Sequence, residues 1–142
     1  MTSHIVVPLD DSPRSKHALE HALVEHPGTE ITVLHVIDPF GSGDPAARIL
    51  PGQWEDWYDR EQAEVEALFE EARAMAEEYD REVETVAETG PTAETIIDCA
   101  DRTDADHIVI GSHSRSMVSR MLLGSVAEAV VRRASVPVTV VR

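Results

Sequence analysis

A chain of 142 residues with 42% hydrophobic side chains is the size of one domain, which we place at residues 1–142, and its apolar content excludes wholesale disorder. Its 27 acidic residues against 12 lysines and arginines give a net charge of −15, which disfavours binding to nucleic acids and anionic membranes. No apolar run approaches the ~20 residues of a membrane span, and one cysteine, Cys99, excludes an internal disulfide and a cysteine-based zinc site.

Five segments predict strands, four of them apolar or β-branched and one, residues 82–90, alternating, and four helical segments lie between them along the chain. In order these are strand 4–9, a helix from Pro13, strand 30–38, helix 54–82, strand 82–90, a helix opened by Pro91, strand 105–113, helix 125–135 and strand 136–142. Such alternation predicts an α/β fold: a single-domain, Rossmann-like, doubly wound, five-stranded parallel sheet with helices on both faces. Ser12 and Pro13 suit the cap and first position of the first helix.

Two loops are candidates for a ligand site. Open α/β sheets bind ligands at the carboxyl ends of the strands where the strand order reverses, and in the commonest orders the first and fourth strands meet there. Their trailing loops here are PLDDS, which contains Asp10, and GSHSRSMVSRMLLGS, from Gly111 to Ser125. A carboxylate at Asp10 suits ribose hydroxyls, although Asp10 and Asp11 also suit a helix cap.

The second loop combines a glycine, hydroxyls and a helix start. Gly111 permits close backbone approach, and SVAE, from Ser125 to Glu128, matches a capping box. Gly124 and Ser125 would then lie at a helix N-terminus, which favours an anion. This anatomy is typical of a phosphate-binding loop, but a glycine-bounded surface loop with an ordinary cap fits the local residues equally well.

The chain resembles the universal stress protein family over nearly its whole length. GSHSRSMVSRMLLGSVAEAVVRRASVPVTVV is similar to the family's C-terminal signature, which in its ATP-binding branch is G-x2-G-x9-G-[ST]. IVVPLDDSPRSKHALEHAL resembles the first βα unit, and ITVLHVID the second strand. Only residues from about 39 to 82 are nonspecific.

The resemblance implies an ATP-binding stress-response or signalling module with at most slow ATP hydrolysis and no assigned catalytic residue. The ligand would be ATP, or ADP or AMP, with Mg²⁺ or Mn²⁺ bridging the phosphates. Asp10 would hold the ribose, and residues 124–126 the phosphates. The nucleotide-binding residues implied in this way are Pro8, Leu9, Asp10, Val36, Ile110, Gly111, Ser114, Gly124, Ser125 and Val126.

Ser114 departs from the signature, which has glycine there, although the spacing to Gly111 and Gly124 is intact. If the glycine is needed only for a positive φ, serine costs about 1–2 kcal/mol and weakens binding without abolishing it. If a Cβ collides with the phosphates, the site is lost. We expect the first case, and the alternative function is a non-nucleotide protein-interaction module of the same fold.

Other chemistries fit less well. A P-loop needs a lysine that the second loop lacks, a receiver domain needs an acceptor aspartate and a lysine that the third and fifth strands do not offer, and a flavodoxin needs a phosphate loop where PLDDSP is acidic. His17 and His21 lie one helical turn apart but have no evident third ligand, so no protein-held metal is expected.

Assembly and environment follow from the last strand and the charge. VPVTVVR has no lysine to prevent edge pairing, and together with the family resemblance it predicts a homodimer through this strand. An acidic surface with Lys16 as the sole lysine suits molar salt, where the Debye length is about 3 Å, and indicates a halophilic source, with an ordinary acidic cytosolic protein as the alternative. The first residues lack a signal-peptide pattern, so we expect a cytoplasmic location.

Overall fold

The computed structural model describes residues 2–39, 53–112 and 124–142. The elements alternate in the predicted order. They are β1 (His4–Pro8), α1 (Pro13–Glu25), β2 (Glu30–Ile37), α2 (Trp54–Glu77), β3 (Glu84–Thr89), α3 (Thr92–Arg102), β4 (His107–Gly111), α4 (Ser125–Arg133) and β5 (Val138–Val141).

The five strands form one parallel sheet in the order β3-β2-β1-β4-β5. The chain moves outward from β1 to β3 on one side and then returns to place β4 against the other side of β1. The strand order therefore reverses between β1 and β4, as the sequence predicts, and the carboxyl ends of these two strands lie side by side.

Helices cover both faces of the sheet, which confirms the doubly wound, Rossmann-like architecture. On one face Ile5, Val7 and Val109 pack with α1 and α2, and on the other Val6 and Ile108 pack with α3 and α4. Because both faces are covered, the inner strands β1, β2 and β4 are largely apolar runs, whereas the edge strand β3 carries the exposed residues Glu84 and Thr89. None of the helices among the described residues is long and apolar enough to cross a membrane.

The helix boundaries are set by local hydrogen bonds. Ser12 caps α1 by accepting the Ser15 N–H at 3.3 Å, and Pro13 is the first helical residue, as predicted. Helix α2 ends at Glu77, five residues before the predicted end, because Asp80 adopts a left-handed φ of 55° and the Arg81 N–H donates back to the Ala76 carbonyl.

Candidate functional site

The end of β1 is fixed by hydrogen bonds to β2 and to the start of α1. The Leu9 N–H donates to the Leu34 carbonyl at 2.8 Å, and the Leu9 carbonyl lies 2.7 Å from Nδ1 of His35. Because a carbonyl only accepts hydrogen bonds, the His35 proton is on Nδ1. These bonds hold the main chain just before Asp10 in one position.

The Asp10 side chain lies at the entrance to α1. Its Oδ1 accepts the Ser12 N–H at 2.7 Å, while its own N–H donates to Oγ of Ser15 at 3.1 Å. The residue is half-buried, and no residue of the described ranges donates a hydrogen bond to its Oδ2. One carboxylate oxygen therefore orders the turn, and the other remains able to accept a hydrogen bond from a ligand hydroxyl.

Apolar residues lie at or near the carboxyl ends of three adjacent strands, β2, β1 and β4. Pro8 ends β1, Val36 lies near the end of β2, and Ile110 lies near the end of β4. Val36 and Ile110 both belong to the core on the α3 and α4 face, and Leu9 is buried in the core on the opposite face. The sheet thus places the sequence-predicted apolar residues at the carboxyl ends of its inner strands, with Leu9 on the opposite face from Val36 and Ile110.

Gly111 has a packing role that the sequence did not reveal. A Cβ built on Gly111 would lie 2.7 Å from the carbonyl carbon of Arg14 and 2.9 Å from the nitrogen of Ser15. The missing side chain lets the first turn of α1 lie directly on the end of β4. In this structure the close approach that Gly111 permits is to the protein's own backbone.

Ser112 connects four elements at the carboxyl ends of the strands, a role that its sequence context does not indicate. Its N–H donates to the Val141 carbonyl at 2.8 Å, its own carbonyl accepts the Gly124 N–H, and its Oγ accepts a hydrogen bond from Nη1 of Arg14 at 2.8 Å. Ser112 is only 1% exposed. It therefore holds the end of β4 to β5, to the start of α4 and to the first turn of α1. Its position where the predicted strand 105–113 overlaps the loop that begins at Gly111 was the only available signal.

The start of α4 differs from the predicted capping box. Gly124 is the N-cap residue and Ser125 is already the first helical residue, with no side-chain cap. Glu128 is thus one position too far along to reach the cap, and its carboxylate pairs with Arg132 at 2.8 Å. The predicted capping box is wrong, but Gly124 and Ser125 do lie at the helix N-terminus. The N–H groups of the first turn after Gly124 have no partner within the helix, as at every helix start, and such groups favour an anion.

Two predicted site residues remain. Val126 lies in the first turn of α4, beside Ser125. Ser114 lies outside the described residues.

No group of three or more histidine, cysteine, aspartate or glutamate side chains in residues 2–39, 53–112 and 124–142 is arranged to hold a metal ion.

Comparison with known proteins places the chain among its relatives. The family model described as the universal stress protein family matches residues 1–142. Universal stress protein MJ0531 of Methanocaldococcus jannaschii is 34% identical over 142 residues, which cover 97% of this chain and 81% of the relative.

Solved structures share the fold. UspA from Lactobacillus plantarum matches with a TM-score of 0.85 and 25% identity, covering 99% of this chain and 98% of that one. A universal stress protein from Archaeoglobus fulgidus in complex with dAMP matches with a TM-score of 0.70 and 26% identity over 100% of this chain and 98% of that one. A universal stress protein whose structure was solved in complex with cAMP matches with a TM-score of 0.72 and 25% identity, covering 99% of this chain and 97% of that one. The chain therefore belongs to the universal stress protein family.

Proposed function

We propose that this member of a stress-response family binds an adenine nucleotide, ATP above all, at the carboxyl ends of β1 and β4. The observation that carries the proposal is the Ser112–Gly124 hydrogen bond, which fixes the start of α4 at the point where the strand order reverses. An anion-binding helix start and the carboxylate of Asp10 thereby belong to neighbouring strand ends. The complexes of relatives with dAMP and cAMP support the choice of an adenine nucleotide.

Each part of the nucleotide has a suitable partner in this arrangement. Oδ2 of Asp10 would accept from a ribose hydroxyl, and the apolar side chains of Pro8, Val36 and Ile110 would line the base. The main-chain N–H groups of residues 125 and 126 would bind phosphate oxygens. Mg²⁺ or Mn²⁺ would enter with the phosphates and offset part of the negative charge of the protein.

Isothermal titration calorimetry in high salt with Mg²⁺ tests this proposal. Wild type should bind ATP, Ser114→Gly should bind as well or better, and Asp10→Ala should bind about tenfold or more weakly because the ribose loses a charged acceptor. Asp98→Ala on the exposed face of α3 removes the same charge away from the site and should leave the affinity unchanged.

Failure of both wild type and Ser114→Gly to bind any adenine nucleotide would contradict the proposal. The alternative, a protein-interaction module without nucleotide, would then stand. Equal losses in Asp10→Ala and Asp98→Ala would contradict a specific ribose contact at Asp10, because removal of a carboxylate away from the site should not weaken the binding of an anionic ligand to an acidic protein.

We further propose that the protein acts as a single domain over residues 1–142, as a cytoplasmic homodimer, in a halophilic cell. The edge strand β5 supports the dimer: all four of its residues are half-buried and none is charged. The opposite edge strand, β3, carries Glu84 and Glu88, which disfavour pairing with a second copy.

A further inference from the structure

Arg14 lies in the first turn of α1 and reaches across to the end of β4. Its Nη1 donates to Oγ of Ser112 at 2.8 Å, and the residue is half-buried. A guanidinium carries five N–H donors, and this bond uses one of them. The remaining donors are held near the carboxyl ends of β1 and β4, where the nucleotide is proposed to bind.

Arg14 differs in its partners from three other arginines of the described residues. Arg102, Arg132 and Arg133 each pair with a glutamate. Across residues 2–39, 53–112 and 124–142, no carboxylate lies within ion-pair distance of Arg14, although the chain has 27 acidic residues. A half-buried cation without a carboxylate is suited to a ligand that supplies the negative charge.

Ser112 ties this cation to the start of α4. Its Oγ accepts from Arg14, and its carbonyl accepts from Gly124, the N-cap residue of α4. One buried residue therefore anchors both the guanidinium and the helix start. A phosphate at that helix start would gain a charged donor from Arg14 in addition to the main-chain N–H groups.

We infer that Arg14 is a phosphate-binding residue that makes the site selective for adenine nucleotides over the nucleoside adenosine. The inference rests on the proposed nucleotide function and extends it by assigning different parts of the nucleotide to two side chains. Asp10 binds the ribose, which adenosine and ATP share, and Arg14 binds the phosphates, which adenosine lacks. Guanidinium groups bind phosphate with paired N–H donors, which a lysine cannot reproduce.

Calorimetry with adenosine, AMP and ATP at one fixed salt concentration tests the inference. In Arg14→Met we expect ATP and AMP to bind about tenfold to a hundredfold more weakly, while adenosine binding stays unchanged. Arg14→Lys should recover only part of the loss. Lys16→Met is the matched control, because it removes a cation from the same helix where it pairs with Glu71 at 2.9 Å, and it should leave all three affinities unchanged.

A second variant separates a phosphate contact from a structural role. Ser112→Ala keeps the charge of Arg14 but removes its anchor, and we expect a smaller selective loss for AMP and ATP. Equal losses for adenosine and ATP in Arg14→Met, or no loss for ATP, would overturn the role of Arg14 while leaving the proposed function intact. No binding of any ligand to wild type would overturn both. Circular dichroism checks the fold, and if Arg14→Met does not fold, Arg14→Lys and Ser112→Ala decide the question.

Discussion

Gly111 and Arg14 pack against each other so closely that a Cβ on Gly111 would lie 2.7 Å from the carbonyl carbon of Arg14. The first turn of α1 thereby rests on the end of β4, and the Arg14 side chain starts from a backbone position that Gly111 defines. Gly111, the first glycine of the universal stress protein signature, is thus required by the packing of α1 on β4, independently of any ligand.

This relationship predicts that Gly111→Ala destabilises the protein. The added methyl group meets backbone atoms on the side of α1, which cannot move aside as a flexible side chain can. We expect a loss of about 1–3 kcal/mol in the free energy of unfolding, or more. Urea denaturation followed by circular dichroism measures this loss.

Gly28→Ala provides the control for Gly111→Ala. Gly28 has a φ of +76° but no atom within 4 Å of a built Cβ, so alanine there is strained in its backbone and not crowded. Its expected cost is about 1–2 kcal/mol, and Gly28→Asn should recover part of it because asparagine tolerates a left-handed φ. At position 111, where crowding by Arg14 is the cause, asparagine should be worse than alanine, and recovery there would contradict the packing explanation.

Arg81 links the ends of α1 and α2, and its removal should also destabilise the protein. Its Nη1 donates to the carbonyls of Leu23 and His26 at 3.0 and 3.1 Å, and its Nη2 donates to Thr29. A cation bonded to carbonyls at a helix C-terminus also interacts favourably with the helix dipole. We expect Arg81→Met to cost about 2–4 kcal/mol in unfolding free energy.

Thermal and urea melts of Arg81→Met, Arg81→Lys and Arg73→Met test this role. Arg73 lies on α2 and donates to Oγ1 of Thr85 in an exposed setting, so its substitution should cost little. If Arg81→Met lowers the free energy of unfolding no more than Arg73→Met does, Arg81 does not stabilise the protein by linking α1 and α2.

His107 lies at the amino end of β4 beside two other histidines, and its titration is expected to make stability depend on pH. The His26 ring lies 5.4 Å from that of His107 and 6.1 Å from that of His21, and Nε2 of His107 is 2.7 Å from Oγ1 of Thr139. Burial lowers the pKa of His107 below 6.5, with further lowering by His26 and His21 against an opposing effect of Asp106. The folded state therefore binds fewer protons than the unfolded state just below pH 6.5.

The sign of the pH effect follows from this lowered pKa. The contribution of His107 to stability is complete above its unfolded pKa of 6.5 and is lost as the pH falls below that value. We expect the melting temperature to drop between about pH 8 and about pH 5, and His107→Gln to flatten that drop. His17→Gln, an exposed position on α1, should keep the wild-type profile. An unchanged profile in His107→Gln would exclude His107 as its source.

Much of the fold could be predicted from the sequence because its signals are local. Apolar runs separated by helical segments predict parallel strands, and Ser12 followed by Pro13 is typical of a helix start. The S-x-x-E pattern at Ser125 failed because a capping box needs Ser125 outside the helix, whereas Gly124 takes that place. The early end of α2 was missed because its left-handed residue is Asp80 and not the glycine that usually marks such a turn.

The candidate site was predicted in outline and not in its contacts. The position of Asp10 follows from the topology, since the residue after the first strand must lie at the reversal of strand order. The Arg14–Ser112 hydrogen bond joins residues 98 positions apart in the chain, and neither residue type nor spacing indicates it. Long-range contacts of this kind depend on how α1 lies on β4, which Gly111 decides through packing.

The excess of acidic residues predicts that stability depends on salt. At a net charge of −15, carboxylates repel one another, and salt screens this repulsion more strongly as the Debye length shortens. We expect the melting temperature to fall steadily from molar to tens of millimolar salt. A flat dependence would count against a halophilic source. Parallel melts in potassium chloride and potassium glutamate separate screening from the effect of a particular anion.

The last prediction concerns the outer edge of β5, the last strand in the sheet order. The Ile108 N–H donates to the Pro137 carbonyl and the Ser112 N–H to the Val141 carbonyl, so odd-numbered residues of this strand bond to β4. In a parallel ladder the residues between them turn their main-chain groups away from that partner. The N–H of Val140 therefore points outward from the sheet, where a second copy of the strand could pair with it.

Val140→Pro removes this outward N–H while leaving the bonds between β4 and β5 in place, since proline is tolerated on edge strands. We expect wild type to be a dimer and Val140→Pro to be a folded monomer by light scattering in high salt at micromolar concentration. Val131→Ser, an exposed apolar position on α4, should remain a dimer and serves as the control. A monomeric wild type would refute the dimer itself, whereas a dimeric Val140→Pro would place the interface on a surface other than the β5 edge.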